Sequence, residues 1–327
     1  MKVLVCGGAG YIGSNMTAVL AQNGHEPIVY DNLSKGHRAA VHGVKFVHGD
    51  LSNFELLLRT MREHRVEAVM HFAAFIEVGE SVSQPLRYYR NNLANALTVL
   101  EAMENAGVDK FVFSSTAAVY GMPDVGLITE ETPKNPINPY GDSKWDVERI
   151  CQFQCRTRRL RYAALRYFNA CGAGQDGKLG EDHTPESHLI PLVIYAAMGK
   201  RADIKIFGTD YTTPDGTCIR DYIHVEDLCS AHLLGLKALD SQNEVVCNLG
   251  IGKGYSVRQV IDTVKKVSGK DVKVVEDQRR AGDPPILTAD SSKAVRELGW
   301  KPKFTSLEGI IETAWKWHNS HPDGYED

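Results

Sequence analysis

The first twenty residues constrain this chain more than any other segment. Val3, Leu4 and Val5 form a short apolar run of the kind buried in a parallel sheet. Gly7, Gly8, Gly10 and Gly13 follow, and Ile12, Met16, Val19 and Leu20 then recur at helical spacing. Gly8, Gly10 and Gly13 fit Gly-x-Gly-x-x-Gly, while Gly7, Gly10 and Gly13 fit Gly-x-x-Gly-x-x-Gly. A strand, a glycine turn and a helix are the context in which such spacing signals a dinucleotide site. The glycines let backbone approach a pyrophosphate, and the helix N-terminus meets its charge with free N–H groups. The second apolar run, Pro27 to Tyr30, ends in Asp31, 18 residues beyond Gly13. A carboxylate near that spacing accepts hydrogen bonds from the adenosine ribose hydroxyls and repels a 2′-phosphate. The pattern therefore points to NAD rather than NADP.

Strand-like segments at 2–6, 27–30, 45–48, 66–72, 109–114 and 161–167 alternate with helical patterns at 12–23, 53–64, 85–106 and 140–159. That order predicts an α/β fold, a Rossmann-type doubly wound parallel sheet with helices on both faces. Functional groups in such sheets gather at the carboxyl ends of the strands. Asp31, Asp50, the Phe72-Ala73-Ala74 turn, Ser114–Thr116 and Asn169 all fall there. Beyond lies a stretch at 172–187 rich in Gly, Asp and Pro, and a second loop from Gly208 to Asp221. Short strands at 204–207, 245–249 and 272–276 alternate with helices near 188–199, 226–239, 256–267 and 306–318. This half reads as a smaller α/β substrate-binding lobe. The expected division is residues 1–170 for the nucleotide and 171–327 for the substrate, with segments around 220–250 returning to the larger domain.

The run Asn138-Pro139-Tyr140-Gly141-Asp142-Ser143-Lys144 carries the chemistry. Asn138 can cap a helix and Pro139 can occupy its first turn. Tyr140 and Lys144 then share one face, four residues apart. An ammonium beside a phenol favours the phenolate and lowers its pKa from about 10. Such a phenol can take a proton from an alcohol. Tyr-x-x-x-Lys alone is unspecific; beside a dinucleotide fingerprint it implies oxidation of an alcohol by NAD.

Composition excludes several other classes. The chain has 327 residues, enough for about two domains, and is 43% hydrophobic. Its net charge is −4 with both signs interspersed, so no nucleic-acid partner is expected. No apolar stretch approaches a membrane span, and the first residues enter a strand at once, so neither a membrane partner nor a signal peptide is expected. The seven cysteines lack metal-ligand spacing. They read as reduced thiols of a cytoplasmic protein, and no metal site is expected. His25, His64 and His232 receive no role.

The landmarks together resemble the extended short-chain dehydrogenase/reductase superfamily, and within it the UDP-glucose 4-epimerase family. The resemblance rests on Gly7–Ser14, Asp31-Asn32-Leu33, Gly49-Asp50-Leu51, His71–Ala74, Val78–Ser81, Tyr88–Asn92, Ser114–Gly121 and Pro139–Lys144. It continues through Arg166–Asn169, Arg220–Val225, Asn248–Gly250 and Arg279–Asp283, nearly the whole chain. It implies Tyr140 as the base. Lys144 would hold the nicotinamide ribose, and Thr116 would bridge Tyr140 and the sugar 4-hydroxyl. The cofactor set would comprise Gly7, Gly10, Tyr11, Ile12, Gly13, Asp31, Asn32, Asp50, Leu51, Phe72, Ala73, Ala74, Asn91, Ser114, Tyr140, Lys144 and Tyr167, with Asp50 and Leu51 flanking the adenine and Asn92, like Asn91, near the cofactor. Asn169, Arg220 and Arg280 would grip the UDP diphosphate, where guanidinium forks suit phosphate oxygens. Asp283 would bind the uridine ribose. His188, Leu189, Phe207, Tyr222 and Leu287 complete the substrate set.

Two positions depart from the family pattern. Ile76 stands where a phosphate-contacting Lys is common, and His188 where an Asn often precedes Leu189. A further position bears on sugar size. The fourth residue after the Asp of Arg-x-Gly-Asp gates the sugar C2 substituent, and a Tyr there excludes N-acetylhexosamines. Here it is Leu287, so some activity on UDP-N-acetylglucosamine is expected. The resemblance implies a redox-neutral reaction through a 4-ketose that swings about its bond to the diphosphate, and a homodimer built on helices of the large domain. A 4,6-dehydratase usually has Asp-Glu after the Thr, and UDP-glucuronate decarboxylases a Glu at the second position. Ala117 and Ala118 stand there instead. A UDP-pentose or UDP-uronate 4-epimerase would use the same chemistry. A non-catalytic NAD-binding regulator would be expected to lose Tyr140 or Lys144.

Overall fold

The computed structural model describes residues 1–157, 159–280 and 283–326. Its strands are β1 (Lys2–Cys6), β2 (Glu26–Asp31), β3 (Lys45–His48), β4 (Ala68–His71), β5 (Lys110–Thr116), β6 (Arg161–Tyr167), β7 (Asn169–Cys171), β8 (Ile204–Phe207), β9 (Ile219–His224), β10 (Glu244–Leu249), β11 (Gly254–Ser256), β12 (Val274–Asp277) and β13 (Ile286–Leu287). Its helices are α1 (Tyr11–Gln22), α2 (Phe54–His64), α3 (Val78–Ser83), α4 (Pro85–Tyr88), α5 (Asn95–Ala106), α6 (Pro139–Arg156), α7 (Leu189–Ala197), α8 (Val225–Ala238), α9 (Val257–Ser268), α10 (Ser292–Leu298) and α11 (Leu307–Ser320).

Among the described residues, seven parallel strands form the main sheet in the order β10-β6-β5-β4-β1-β2-β3. The expected doubly wound sheet is thus present. Connections run one way from β1 to β2 and the other way to β4, so a crevice opens at the carboxyl ends of β1 and β4. Register places Val5 against Val29 on one side and Met70 on the other. One face is covered by α1 and α8, with Met16, Leu20, Leu228 and Leu236 in the core. The other is covered by α2, α5 and α6, with Leu57, Met61, Val99, Met103 and Val147. Both faces are dry, which explains why these strands read as unbroken apolar runs.

A third core packs α7, α9 and α11 with β8 around Val193, Ile206, Val260 and Ile310. A second sheet centres on β9, which pairs with β7, β11 and β13. The end of the expected 208–221 loop is therefore strand. The polar letters Arg220 and Asp221 hid it, yet Asp221 is fully buried and accepts backbone N–H bonds from Ile251, Gly252 and Ala289. The helix expected at 85–106 is also interrupted. A π-helical turn, Tyr89–Ala94, separates α4 from α5, a distortion that often accompanies a site. No described helix is long and apolar enough to cross a membrane.

Candidate active site

The glycine turn after β1 is shaped by backbone contact. Gly7 has φ +78°, and a Cβ there would stand 2.6 Å from Ala73 N. A Cβ on Gly13 would meet Gly7 O at 2.0 Å, so this contact closes α1 onto the turn. Gly10 differs, since its nearest protein atom would be 3.4 Å away. It is also the N-cap of α1, with no side-chain cap and no acid in the first turn. The first N–H groups of α1 are therefore left for an external anion beside an uncrowded glycine. Tyr11 turns its hydroxyl to Gly172 O at 2.6 Å.

Asp31, at the end of β2, is buried, and its two oxygens accept N–H bonds from Ala9 (3.0 Å) and Leu33 (2.8 Å). Burial raises its pKa, opposed by those two donors. Each oxygen keeps a lone pair for a ribose hydroxyl. Asn32 donates to Asp50 at 2.7 Å, and the Tyr30 hydroxyl donates to Asp50 O. The Ser52 hydroxyl and backbone hold Asp50 below the usual carboxylate range. Leu51 is buried beside it. Phe72 N and Ala73 N both donate to Cys6 O, which ties the Phe72–Ala74 turn to the end of β1. The Asn92 amide accepts from Phe75 N and donates to Phe75 O. It positions the loop after β4, and Asn91 leans on it at 2.9 Å.

Asn138 caps α6 through Gly141 N at 2.9 Å, and Pro139 starts the helix. Tyr140 is half-buried on the first turn. Thr116 Oγ1 accepts from Ala118 N at 3.1 Å, which leaves its own proton free to be donated. The expected lowering of the phenol by Lys144 is not found. Burial raises the Tyr140 pKa, and the Thr116 hydrogen bond pulls it back. Lys144 instead donates to Ser114 O at 2.9 Å and lies 4.8 Å over the Phe113 ring. It is only 3% exposed, and burial lowers its pKa to about 7, opposed by Glu148. A buried ammonium with one hydrogen bond has two donors to spare, as a ribose contact requires. Tyr167 and Ser114 share a hydroxyl hydrogen bond beside it. Cradle, acid and ammonium thus fit a dinucleotide.

In the second sheet, β9 gathers five of the expected substrate residues, Asn169, Arg220, Tyr222, Asp283 and Leu287. Asn169 donates to Asp221 O at 2.8 Å and lies opposite Tyr222. Leu287 lies opposite Arg220. Arg220 pairs with Asp283. Arg280 lies 4.0 Å over the Phe207 ring. An open cleft of about 460 Å³, lined by Gly208–Asp210 and Glu276–Arg279, adjoins that stack. Ala281 and Gly282 of the Arg-Arg-Ala-Gly-Asp run lie outside the described residues. His188 and Leu189 sit at the start of α7, with His188 Nδ1 2.9 Å from both Glu181 and Glu186.

Sequence reasoning missed a support beneath Thr116. Glu148 lies one turn beyond Lys144 on α6, a spacing that could have revealed it. It pairs with Arg166 at 2.6 Å and accepts from the Ser115 hydroxyl. Arg166 continues to the Tyr120 hydroxyl, which donates to Asn248 at 2.6 Å. The buried pair holds β5, β6 and α6 in one arrangement.

Residues 3–250 match the NAD dependent epimerase/dehydratase family, and the chain belongs to it. More particularly, it is similar to the UDP-glucose 4-epimerase of Lactobacillus helveticus, 49% identical over 100% of both chains. A crystal structure of UDP-glucose 4-epimerase from Brucella ovis in complex with NAD superposes with TM-score 0.94 at 46% identity, covering 96% of this chain and 97% of that one. A UDP-Glc/GlcNAc 4-epimerase from Campylobacter jejuni superposes with TM-score 0.85 at 44% identity, covering 98% and 99%.

Proposed function

We propose that this chain interconverts UDP-glucose and UDP-galactose by inverting C4 through a 4-keto sugar, with NAD as a recycled cofactor. The observation that carries this reading is Thr116 at the end of β5, beside the Tyr140 phenol whose ionisation it favours, followed only by Ala117 and Ala118. Tyr140 takes the 4-hydroxyl proton, and Thr116 donates to the phenolate that precedes the transfer. NAD, when bound, supplies a reversible hydride acceptor and a positive ring that favours the phenolate. Gly7, Gly10, Tyr11, Ile12 and Gly13 would hold its diphosphate, with Asp31 and Asn32 on the adenosine ribose and Lys144 on the nicotinamide ribose. With Ala117 and Ala118 in place of an acid and a base after Thr116, nothing there eliminates a substituent, and the 4-ketose returns to the alcohol. Arg220 and Arg280 anchor the diphosphate with Asn169, while Asp283 holds the uridine ribose and the hexose turns over. Tyr140→Phe should keep its bound NAD and lose about 10²–10⁴-fold in kcat; near-normal kcat would remove Tyr140 from this role.

The same reading extends to N-acetylhexosamines. Leu287 is half-buried on β13 beside Arg220, and the Campylobacter jejuni neighbour's name joins both sugars. UDP-N-acetylgalactosamine should therefore turn over, and Leu287→Tyr should abolish that activity while sparing UDP-galactose. Background rates on UDP-N-acetylgalactosamine would confine the enzyme to simple hexoses. A homodimer belongs to this account, supported by exposed Leu86, Leu97 and Phe153 on α4, α5 and α6.

A further inference from the structure

Four side chains in the loop between β7 and α7 converge on one point. Glu181 Oε1 lies 2.9 Å from His188 Nδ1 and 3.3 Å from His183 Nδ1. Glu186 places Oε1 2.9 Å from His188 Nδ1 and Oε2 3.5 Å from His183 Nδ1. One donor atom from each residue falls within 4.8 Å of the other three. The carboxylates are inside the protein, with Glu181 and Glu186 side chains 4% and 3% exposed.

Hydrogen bonding does not satisfy this arrangement. An imidazole nitrogen carries at most one proton, yet His188 Nδ1 stands equally close to two carboxylates. His183 Nδ1 and Glu186 Oε2 are buried without a hydrogen-bond partner. Two imidazolium rings would also have to coexist with centroids 5.2 Å apart. A central cation resolves each conflict, because neutral imidazole nitrogens, Glu181 Oε1 and Glu186 Oε2 then present lone pairs to it, while Glu186 Oε1 keeps the N–H groups of Ser187 and His188. Tetrahedral ligands at a zinc–ligand distance of about 2.0–2.1 Å stand about 3.3–3.4 Å from one another. The separations from Glu181 Oε1, 2.9 and 3.3 Å, and from Glu186 Oε2 to His183 Nδ1, 3.5 Å, lie near that value, in a set of four donor atoms that all fall within 4.8 Å.

We propose that Glu181, His183, Glu186 and His188 bind a divalent transition-metal ion, with Zn²⁺ best suited to two imidazoles and two carboxylates. All four ligands come from the protein, which marks a closed, structural site rather than a catalytic one. The loop it would knot is tied to the nucleotide-binding half. Lys35 donates to Thr184 O at 2.8 Å, Ser187 donates to Glu77 at 2.8 Å, and Tyr11 meets His183 edge-on. The ion would therefore fix the segment joining the glycine turn to the start of α7. Tyr140 chemistry does not pass through it.

The test is metal analysis of untagged protein purified without chelators. Wild type should carry about one zinc per chain, and His183→Ala and Glu186→Gln, shown to be folded by circular dichroism, should carry almost none. In competition with a chromophoric chelator, Zn²⁺ affinity should fall more than about a hundredfold in either variant. Co²⁺ added to metal-stripped wild type should give the intense visible bands of a tetrahedral site, a readout that needs no variant to fold. Wild type that neither holds nor rebinds zinc, variants that keep wild-type zinc, or a weak octahedral Co²⁺ spectrum would each overturn the proposal.

Discussion

Thr116 Oγ1 receives the Ala118 N–H and favours the ionised form of the Tyr140 phenol. Its removal has a definite sign. Burial raises the phenol pKa and the Thr116 bond lowers it. Activity rises with pH as the phenol ionises, so Thr116→Ala should move the ascending limb of the kcat profile to higher pH. The rate loss should be largest at low pH and shrink on the alkaline side; an unshifted limb would assign Thr116 to substrate contact alone. At this scale the sequence was most informative where chemistry and local geometry coincide. Asn138, Pro139, Tyr140 and Lys144 could be placed from capping rules and helical spacing. The direction of the Tyr140 pKa could not, because it depends on burial and on where the Lys144 ammonium goes.

The turn from β1 into α1 shows how one element can hold two kinds of glycine. A Cβ at Gly13 collides with backbone of Gly7, whereas one at Gly10 meets only contact distance. Gly13→Ala should therefore cost about 1–3 kcal/mol of stability by overpacking and shed the cofactor. Gly10→Ala should melt near wild type yet purify with much less NAD. Equal melting shifts in the two variants would contradict this division. The strands buried on both faces were legible as apolar runs. The strand β9 was not, since Asp221 earns its burial from three backbone N–H groups contributed by distant loops. The π turn was equally hidden, because the backbone that Asn92 satisfies lies 17 residues earlier.

Across the whole molecule, the proposed mechanism takes its cradle and proton-transfer pair from the main sheet and α6, and its charged groups for the substrate from β9 and its neighbours. The Glu181–His188 cluster lies between these regions in the chain, and nothing in cysteine spacing hinted at it. Only His188 stood among the expected site residues; its partners emerge from a loop whose shape no periodicity encodes. The absence of a general acid and base after Thr116 is what separates a reaction that returns hydrogen to C4 from one that eliminates. The most direct measurement follows that hydrogen. UDP-galactose deuterated at C4 should be converted, by purified enzyme without added cofactor, into UDP-glucose that keeps its deuterium at C4 in the proton NMR spectrum. A 4-keto-6-deoxy product, loss of the label to solvent, or no conversion after NAD is restored would contradict the account.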